Sequence, residues 1–214
     1  MPGRAERIAA DMRRALRYPS RMAKNRLEAF SDGVIAIIIT IMVLEMKVPH
    51  GTDCAALVPV LPVFLSYVLS FLYVGIYWNN HHHMLHTVQR VSGGVLWANL
   101  HLLFWLSLFP FTAGWLGQNH LAALPTAVYG VVLLMAGTAY KILQQTIIAR
   151  HGRDSLLGRA VGTDWKGYLS LAIYLVAIPL AFVNVWVANG LYVVVALIWF
   201  VPDRRIERAL KRED

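Results

Sequence analysis

The chain has 214 residues, of which 57% are hydrophobic and 15% are charged, and its formal net charge is +8. The charged residues crowd into the two ends and a few short segments, a distribution that excludes an ordinary soluble enzyme domain. Apolar stretches of roughly 20 residues fill the space between them and predict an all-α integral membrane protein. The basic excess then marks the cytoplasmic ends of membrane helices, with no need for a nucleic-acid partner.

The predicted elements begin with a basic cytoplasmic arm at residues 1–24, in which Ile8, Met12 and Leu16 recur at fourfold spacing among several arginines. Such an amphipathic segment is expected to lie on anionic lipids. A transmembrane domain of six helices follows at 25–203, and a cytoplasmic tail occupies 204–214. The six predicted spans cover about 27–48, 56–87, 95–116, 121–149, 167–187 and 191–201.

Lysine and arginine are distributed unevenly between the two predicted faces of the membrane. The arm, the connection at Arg90, the loop 150–166 and the tail fall on one side, whereas the opposite loops offer only Lys47. The positive-inside rule therefore predicts that both termini are cytoplasmic, which requires an even number of spans. Cys54 is the single cysteine, so an internal disulfide is excluded.

The first span carries a carboxylate, Asp32, about a turn and a half inside an otherwise apolar segment. An ionisable group at that depth is costly and indicates a functional or structural role. A simpler interpretation is that Ser31 and Asp32 cap the helix while Arg26 reaches the headgroups.

A second polar cluster lies near the end of the second span, at a depth similar to that of Asp32. Buried polar contacts fix helix packing in membranes, where hydrophobic drive between helices is absent. The expected network contains Arg26, Ser31, Asp32, Trp78, His81 and Asn99, with His101 as a further candidate. His82 and His86 also share a helix face, so a metal or haem site completed by His101 is a secondary hypothesis.

Four residues of the first span, Ile37, Thr40, Ile41 and Leu44, recur at helical spacing and share one face. In a monomer this face is a packing stripe. In a symmetric oligomer whose first helices surround the axis, the same face lines a narrow pore with rings of branched aliphatic side chains and one ring of hydroxyls. Periodicity alone does not choose between the two.

At these residues the sequence resembles the TMEM175 family, the endosomal and lysosomal potassium channels. The resemblance rests on Arg26-x-x-x-Phe30-Ser31-Asp32, on the segment 37–40, on Trp78-x-x-His81, and on a third span with Asn99 and Phe109-Pro110-Phe111. It extends over the whole chain in span number and topology.

The resemblance implies a homotetramer of six-span subunits with the first helix of each subunit lining the pore and no reentrant carbonyl filter. It implies that Ile37 forms the tightest constriction, that Ile41 and Leu44 continue the pore face, and that Thr40 favours potassium over sodium. The motif residues Arg26, Phe30, Ser31 and Asp32, with Trp78, His81 and Asn99, are then structural supports of the pore helices.

We therefore expect a potassium-permeable channel in the plasma membrane of a prokaryote, not an enzyme, with no cofactor beyond the permeant ion. The nearest alternative is a proton-permeable or weakly selective cation channel on the same scaffold. A haem or metal oxidoreductase using His82, His86 and His101, and a small secondary transporter, are the alternatives from other classes.

Overall fold

The computed structural model describes residues 4–88, 90–152, 155–161 and 164–200, with side chains from residue 24 onward except at 156 and 160. Within these ranges every regular element is helical, as the sequence predicts. In chain order the elements are α1 (Arg4–Leu44), a 3-10 helix (Cys54–Val60), α2 (Leu61–His86), α3 (Gly93–Ser107), α4 (Phe109–Gln118), α5 (Ala123–His151), α6 (Leu156–Val161), α7 (Trp165–Leu180) and α8 (Val185–Phe200).

Within the described residues, four helical segments are long and apolar enough to cross a membrane: Lys24–Leu44, Cys54–His86, Gly93–Gln118 and Ala123–His151. The helices α7 and α8 are apolar but have only 16 residues each. At 1.5 Å per residue each reaches about 24 Å, somewhat less than the roughly 30 Å of a typical hydrocarbon core. The six predicted spans are thus four strong candidates and two shorter apolar helices.

The N-terminal arm and the first span form one continuous helix, α1, where the sequence predicted two separate elements. The predicted lipid contacts of the arm involve side chains outside the described residues, and the tail 204–214 lies outside them as well.

The third predicted span is interrupted near its middle. Leu108 separates α3 from α4, and Pro110 occupies the first turn of α4. Proline lacks the backbone N–H that would continue the hydrogen-bond ladder of α3, but it fits the first turn of a new helix. The predicted uninterrupted span at 95–116 is therefore two consecutive helices.

The boundary between the last two spans was also misplaced. The structure ends α7 at Leu180 and begins α8 at Val185, whereas the predicted spans ran at 167–187 and 191–201. The Asn184 side chain accepts hydrogen bonds from the backbone N–H of Trp186 at 3.0 Å and of Val187 at 3.2 Å. Asn184 therefore caps the start of α8 within an apolar stretch that conceals the turn.

The helix α5 lies centrally and packs against α3, α4, α7 and α8, while α1 lies at one edge against α2, α3 and α4.

One end of the bundle, here the basic end, joins α1 to α2 through Lys24 Nζ and His86 O, 2.9 Å apart. There Arg90 N also lies 3.4 Å from His151 Nε2. The predicted basic segments around residues 24, 90 and 150 therefore share one end. The opposite end of the bundle, called the outer end for its distance from the basic end, carries Glu45, His50 and His120 around a common cavity.

Candidate functional site

The helix α1 has one covered and one uncovered face over the part that can span a membrane. Ile35, Ile38 and Met42 are at most 4% exposed and pack into the core, whereas Ile37 is 58% exposed and Leu44 is 79% exposed. Ile37, Thr40, Ile41 and Leu44 are all exposed and form the open face of α1. A single subunit thus leaves a stripe of branched aliphatic side chains without protein cover.

Thr40 supplies the only hydroxyl on this open face. Its Oγ1 donates to the backbone oxygen of Ile37 at 2.9 Å. Because the hydroxyl proton is held by that carbonyl, the remaining lone pairs of the oxygen are free to face away from the helix. The side chain therefore presents an acceptor, as a cation requires, within an otherwise apolar stripe.

A groove runs beside the open face. Ile37 and Ile41 form its α1 wall, and its volume is about 630 Å³. The opposite wall comes from the end of α3 and from α4, with Ser107, Pro110, Phe111, Gly114, Trp115 and Gln118. The groove is open and mostly apolar, and it follows α1 from Val34 to Glu45.

Three buried polar side chains join α1, α2 and α3 on the covered side. Asn99 Nδ2 donates to Ser31 Oγ at 2.9 Å, and Ser31 Oγ donates to the backbone oxygen of Leu27 at 2.8 Å. His81 Nε2 lies 2.7 Å from Asn99 Oδ1. Because an amide oxygen can only accept, Nε2 of His81 carries the proton. All three side chains are at most 1% exposed.

Asp32 forms a separate contact. Its Oδ1 accepts a hydrogen bond from Trp78 Nε1 at 3.0 Å, which links α1 to α2. Asp32 is half-buried and Trp78 is exposed. The two contacts, Ser31–Asn99–His81 and Asp32–Trp78, therefore lie next to each other along α1 without sharing a side chain.

The structure does not bring every expected residue into this network. Arg26 and Phe30 are exposed, and Arg26 has no hydrogen bond or ion pair within the described part of the chain. His101 accepts from Trp105 Nε1 at 3.0 Å, a contact within α3 that leaves it outside the network.

The structure does not bring His101 to His82 and His86 as the metal hypothesis requires. The rings of His82 and His86 lie 5.2 Å apart, centroid to centroid, on the exposed end of α2. Among the residues with described side chains, no three His, Cys, Asp or Glu side chains are grouped as a metal site requires. His101 Nε2 accepts a hydrogen bond from Trp105 within α3.

Sequence reasoning missed one partly buried charged contact between α5 and the start of α7. Lys141, within α5, lies 3.3 Å from Asp164 Oδ2, and its ammonium stands 3.1 Å from the ring centroid of Tyr168. The signal was a lysine ten residues before the end of a long apolar helix. An ion pair with an aromatic cover is a usual way to retain such a charge in a membrane.

Comparison with known proteins shows where these features recur. The model of the family described as "Endosomal/lysosomal potassium channel TMEM175" matches residues 26–110, which contain the open face, Asp32, Trp78, His81 and Asn99. A potassium channel of Chryseobacterium sp. (strain P1-3) is 55% identical over 190 residues, covering 89% of this chain and 99% of that one.

Two further comparisons involve Chamaesiphon minutus. A potassium channel of that bacterium is 30% identical over 84% of this chain and 94% of its own. The crystal structure of a lysosomal potassium-selective channel TMEM175 homolog from that organism superimposes with a TM-score of 0.71 at 29% identity, covering 85% of this chain and 98% of that one. The human endosomal/lysosomal proton channel TMEM175 is 37% identical over 83 residues, 33% of this chain and 16% of the human one.

These matches confirm the expected family and, because the family consists of ion channels, the expectation that the chain is not an enzyme. The all-helical fold, with four long apolar segments and two shorter apolar helices, and the identity across almost the whole length point the same way. The chain belongs to the TMEM175 family of membrane ion channels.

Proposed function

We propose that the chain forms a homotetrameric, potassium-permeable channel in which the open faces of four α1 helices line the pore. The observation that carries the proposal is the apolar stripe of α1 that one subunit leaves uncovered. Lipid alone would suit that stripe, but α1 lies at the edge of the bundle, where a neighbouring subunit can approach it, beside an open groove of about 630 Å³. The bacterial relatives that cover most of the chain are named potassium channels.

The barrier in this pore is expected at Ile37. Four branched side chains that converge on an axis exclude water from a narrow neck, and a hydrated ion crosses only when the neck becomes wet. Ile41 and Leu44 extend the same apolar lining toward the outer end.

Thr40 is the proposed selectivity residue. Its hydroxyl already donates to Ile37 O, so its free lone pairs are available to a cation. A ring of four such oxygens replaces part of a hydration shell, and this replacement favours potassium because sodium holds its water more tightly.

The buried contacts behind the open face are proposed as structural supports and not as ion ligands. Ser31, Asn99 and His81 lie on the covered side of α1, away from Ile37 and Leu44, so a permeating ion would not reach them. Their hydrogen bonds link the pore helix to α2 and α3 and would keep its open face turned toward the axis.

Membrane orientation follows from charge. We expect a multi-pass protein of a prokaryotic plasma membrane, with the basic end in the cytoplasm and the outer end outside. The arginine-rich segment at the start of α1 is expected to contact anionic lipids.

Proton permeation is the second candidate function, because animal relatives named endosomal/lysosomal proton channels are 37% identical to this chain over 83 residues. An apolar neck with a single hydroxyl ring would also be a modest filter.

Flux into liposomes tests both functions. Purified protein is reconstituted under opposed potassium and sodium gradients, and the reversal potential and internal pH are followed. A reversal potential displaced toward the potassium equilibrium value supports the potassium channel. Acidification that persists without potassium or sodium supports proton permeation, and the absence of flux from a well-assembled protein contradicts both.

A further inference from the structure

Glu45 directly follows the last residue of α1, at the outer end of the open face. Its carboxylate lies over Gly114 of α4, where an added methyl group would stand 3.5 Å from Oε2. No hydrogen bond or ion pair to Glu45 is present in the described part of the chain. The side chain of Glu45 is exposed.

Glu45 also lines two neighbouring cavities. One is the groove of about 630 Å³ that contains Ile37 and Ile41. The other, of about 560 Å³, opens at the outer end. The carboxylate therefore lies where the space beside the open face meets the space outside it.

Other charged and titratable groups at the outer end are placed differently. Lys47, His50 and His120 line the outer cavity but not the groove beside the open face. Asp53 accepts a hydrogen bond from the backbone N–H of Ala56 at 3.1 Å and so caps the 3-10 helix. Among the groups at this end, the carboxylate of Glu45 is the charge that reaches the groove.

We propose that Glu45 raises the concentration of cations at the outer entrance of the pore, where the four copies of its carboxylate form a negative ring. The inference rests on the proposed tetramer with α1 at the axis. Eight residues separate Glu45 from Ile37, or about 12 Å along a helix, so the ring stands outside the constriction and Thr40. A ring of carboxylates at a narrow mouth raises the local concentration of cations and the rate at which they enter.

The expected effect of Glu45 on the potassium current depends on the ionic strength and on the direction of the current. The Debye length is about 30 Å at 0.01 M salt and about 3 Å at 1 M salt, so dissolved ions screen the ring only in the concentrated solution. Lys47 carries the opposite charge in the same outer cavity and should oppose the carboxylate.

The test compares potassium currents of the full channel in planar bilayers for wild type, Glu45→Gln, Glu45→Asp and Lys47→Gln. At about 0.01 M potassium, Glu45→Gln should reduce the current that enters from the Glu45 side at least about twofold. Glu45→Asp should retain the wild-type current and Lys47→Gln should increase it. At about 1 M potassium all four currents should converge.

Two results overturn the inference while leaving the proposed channel intact: equal currents for wild type and Glu45→Gln in dilute salt, or a reduction that persists in concentrated salt. Absence of potassium current from the wild type overturns the proposed function as well. If Glu45→Gln does not assemble, the Lys47→Gln variant provides the test. An unchanged current of Lys47→Gln in dilute salt would contradict the proposal that charges at the pore entrance control the entry of cations.

Discussion

The indole nitrogen of Trp78 lies 3.0 Å from Oδ1 of Asp32, one residue along α1 from the buried Ser31. The bond connects the helix that carries the open face to its neighbour α2. A half-buried carboxylate in a membrane span is costly unless a donor compensates it, and Trp78 supplies that donor without adding charge.

Trp78→Phe should lower the thermal stability of the purified oligomer modestly. The substitution keeps an aromatic ring and removes only the N–H, so the loss is one hydrogen bond, worth about 0.5–1.5 kcal/mol. Thermal unfolding in detergent measures it. Trp97→Phe is the matched control, because that side chain is 75% exposed on α3 and should tolerate the change. Equal decreases of the unfolding temperature in the two variants would show that the hydrogen bond of Trp78 to Asp32 does not stabilise the oligomer.

Asn99→Ala should be more harmful. It removes the side chain that joins His81 to Ser31: His81 Nε2 loses its partner, Ser31 keeps only its bond to the backbone oxygen of Leu27, and both side chains are at most 1% exposed. An unpartnered buried polar group costs about 1–3 kcal/mol, so the oligomer yield and the unfolding temperature should both fall.

Asn119→Ala is the control for Asn99→Ala. Asn119 directly follows α4, is exposed, and its side chain donates to the backbone oxygen of Trp115 in that helix. If Asn99→Ala assembled and unfolded like Asn119→Ala, the buried contacts would not support α1.

The depth of these polar residues could be inferred from the sequence, because the spacing of Asp32 from Arg26 and of His81 from Arg90 fixes their positions along the two spans. Their pairing could not. Depth does not give the rotation of a helix about its axis, and this rotation leaves Arg26 exposed while it buries Ser31.

The breaks in the helices were hidden for a different reason. Hydropathy averages over a window, so a turn made of apolar residues, such as 181–183, leaves no trace in it. The caps were the available signal: Asn184 before α8 and Pro110 in the first turn of α4 mark the true starts.

Gly117→Ala should prevent correct packing of α4 on α2. A methyl group at this position would stand 2.5 Å from Val63 Cα and 2.6 Å from Ser66 Oγ. Backbone cannot yield as a side chain can, and overpacking of this kind typically costs about 1–3 kcal/mol. Gly75→Ala, with no atom within 4 Å of the added methyl, is the control. Normal unfolding temperatures for Gly117→Ala would mean that the two helices are farther apart.

Ile37→Asn should increase potassium flux severalfold if the Ile37 ring is the barrier. An amide keeps the neck wet where a branched aliphatic side chain expels water. Liposome flux of matched amounts of oligomer is the measurement. Val43→Asn provides the control, since Val43 is 43% exposed on the same helix but lies off the open face. An equal increase in both variants would indicate a general loosening of α1 and not a wetted neck.

Thr40→Val tests the selectivity residue with little change in shape. Thr40 and Thr138 make similar contacts, each hydroxyl donating to a backbone oxygen of its own helix, at 2.9 Å to Ile37 and at 2.8 Å to Leu134. Valine at either position removes one such bond and one oxygen, so their structural costs should match. Only Thr40 lies on the open face, so only its oxygen would be available to an ion in the pore.

Under opposed potassium and sodium gradients, Thr40→Val should therefore move the reversal potential toward zero, whereas Thr138→Val should leave it at the wild-type value. The reversal potential of the wild type should itself fall short of the potassium equilibrium value, because one ring of hydroxyls cannot match a filter of several carbonyl layers. If Thr40→Val retained the full potassium preference of the wild type, the oxygen ring would not be the filter, and the open face of α1 would lose its strongest claim to line the pore. A shift in Thr138→Val of the same size would instead trace the change to weakened helices, since that threonine lies on α5, which does not carry the open face.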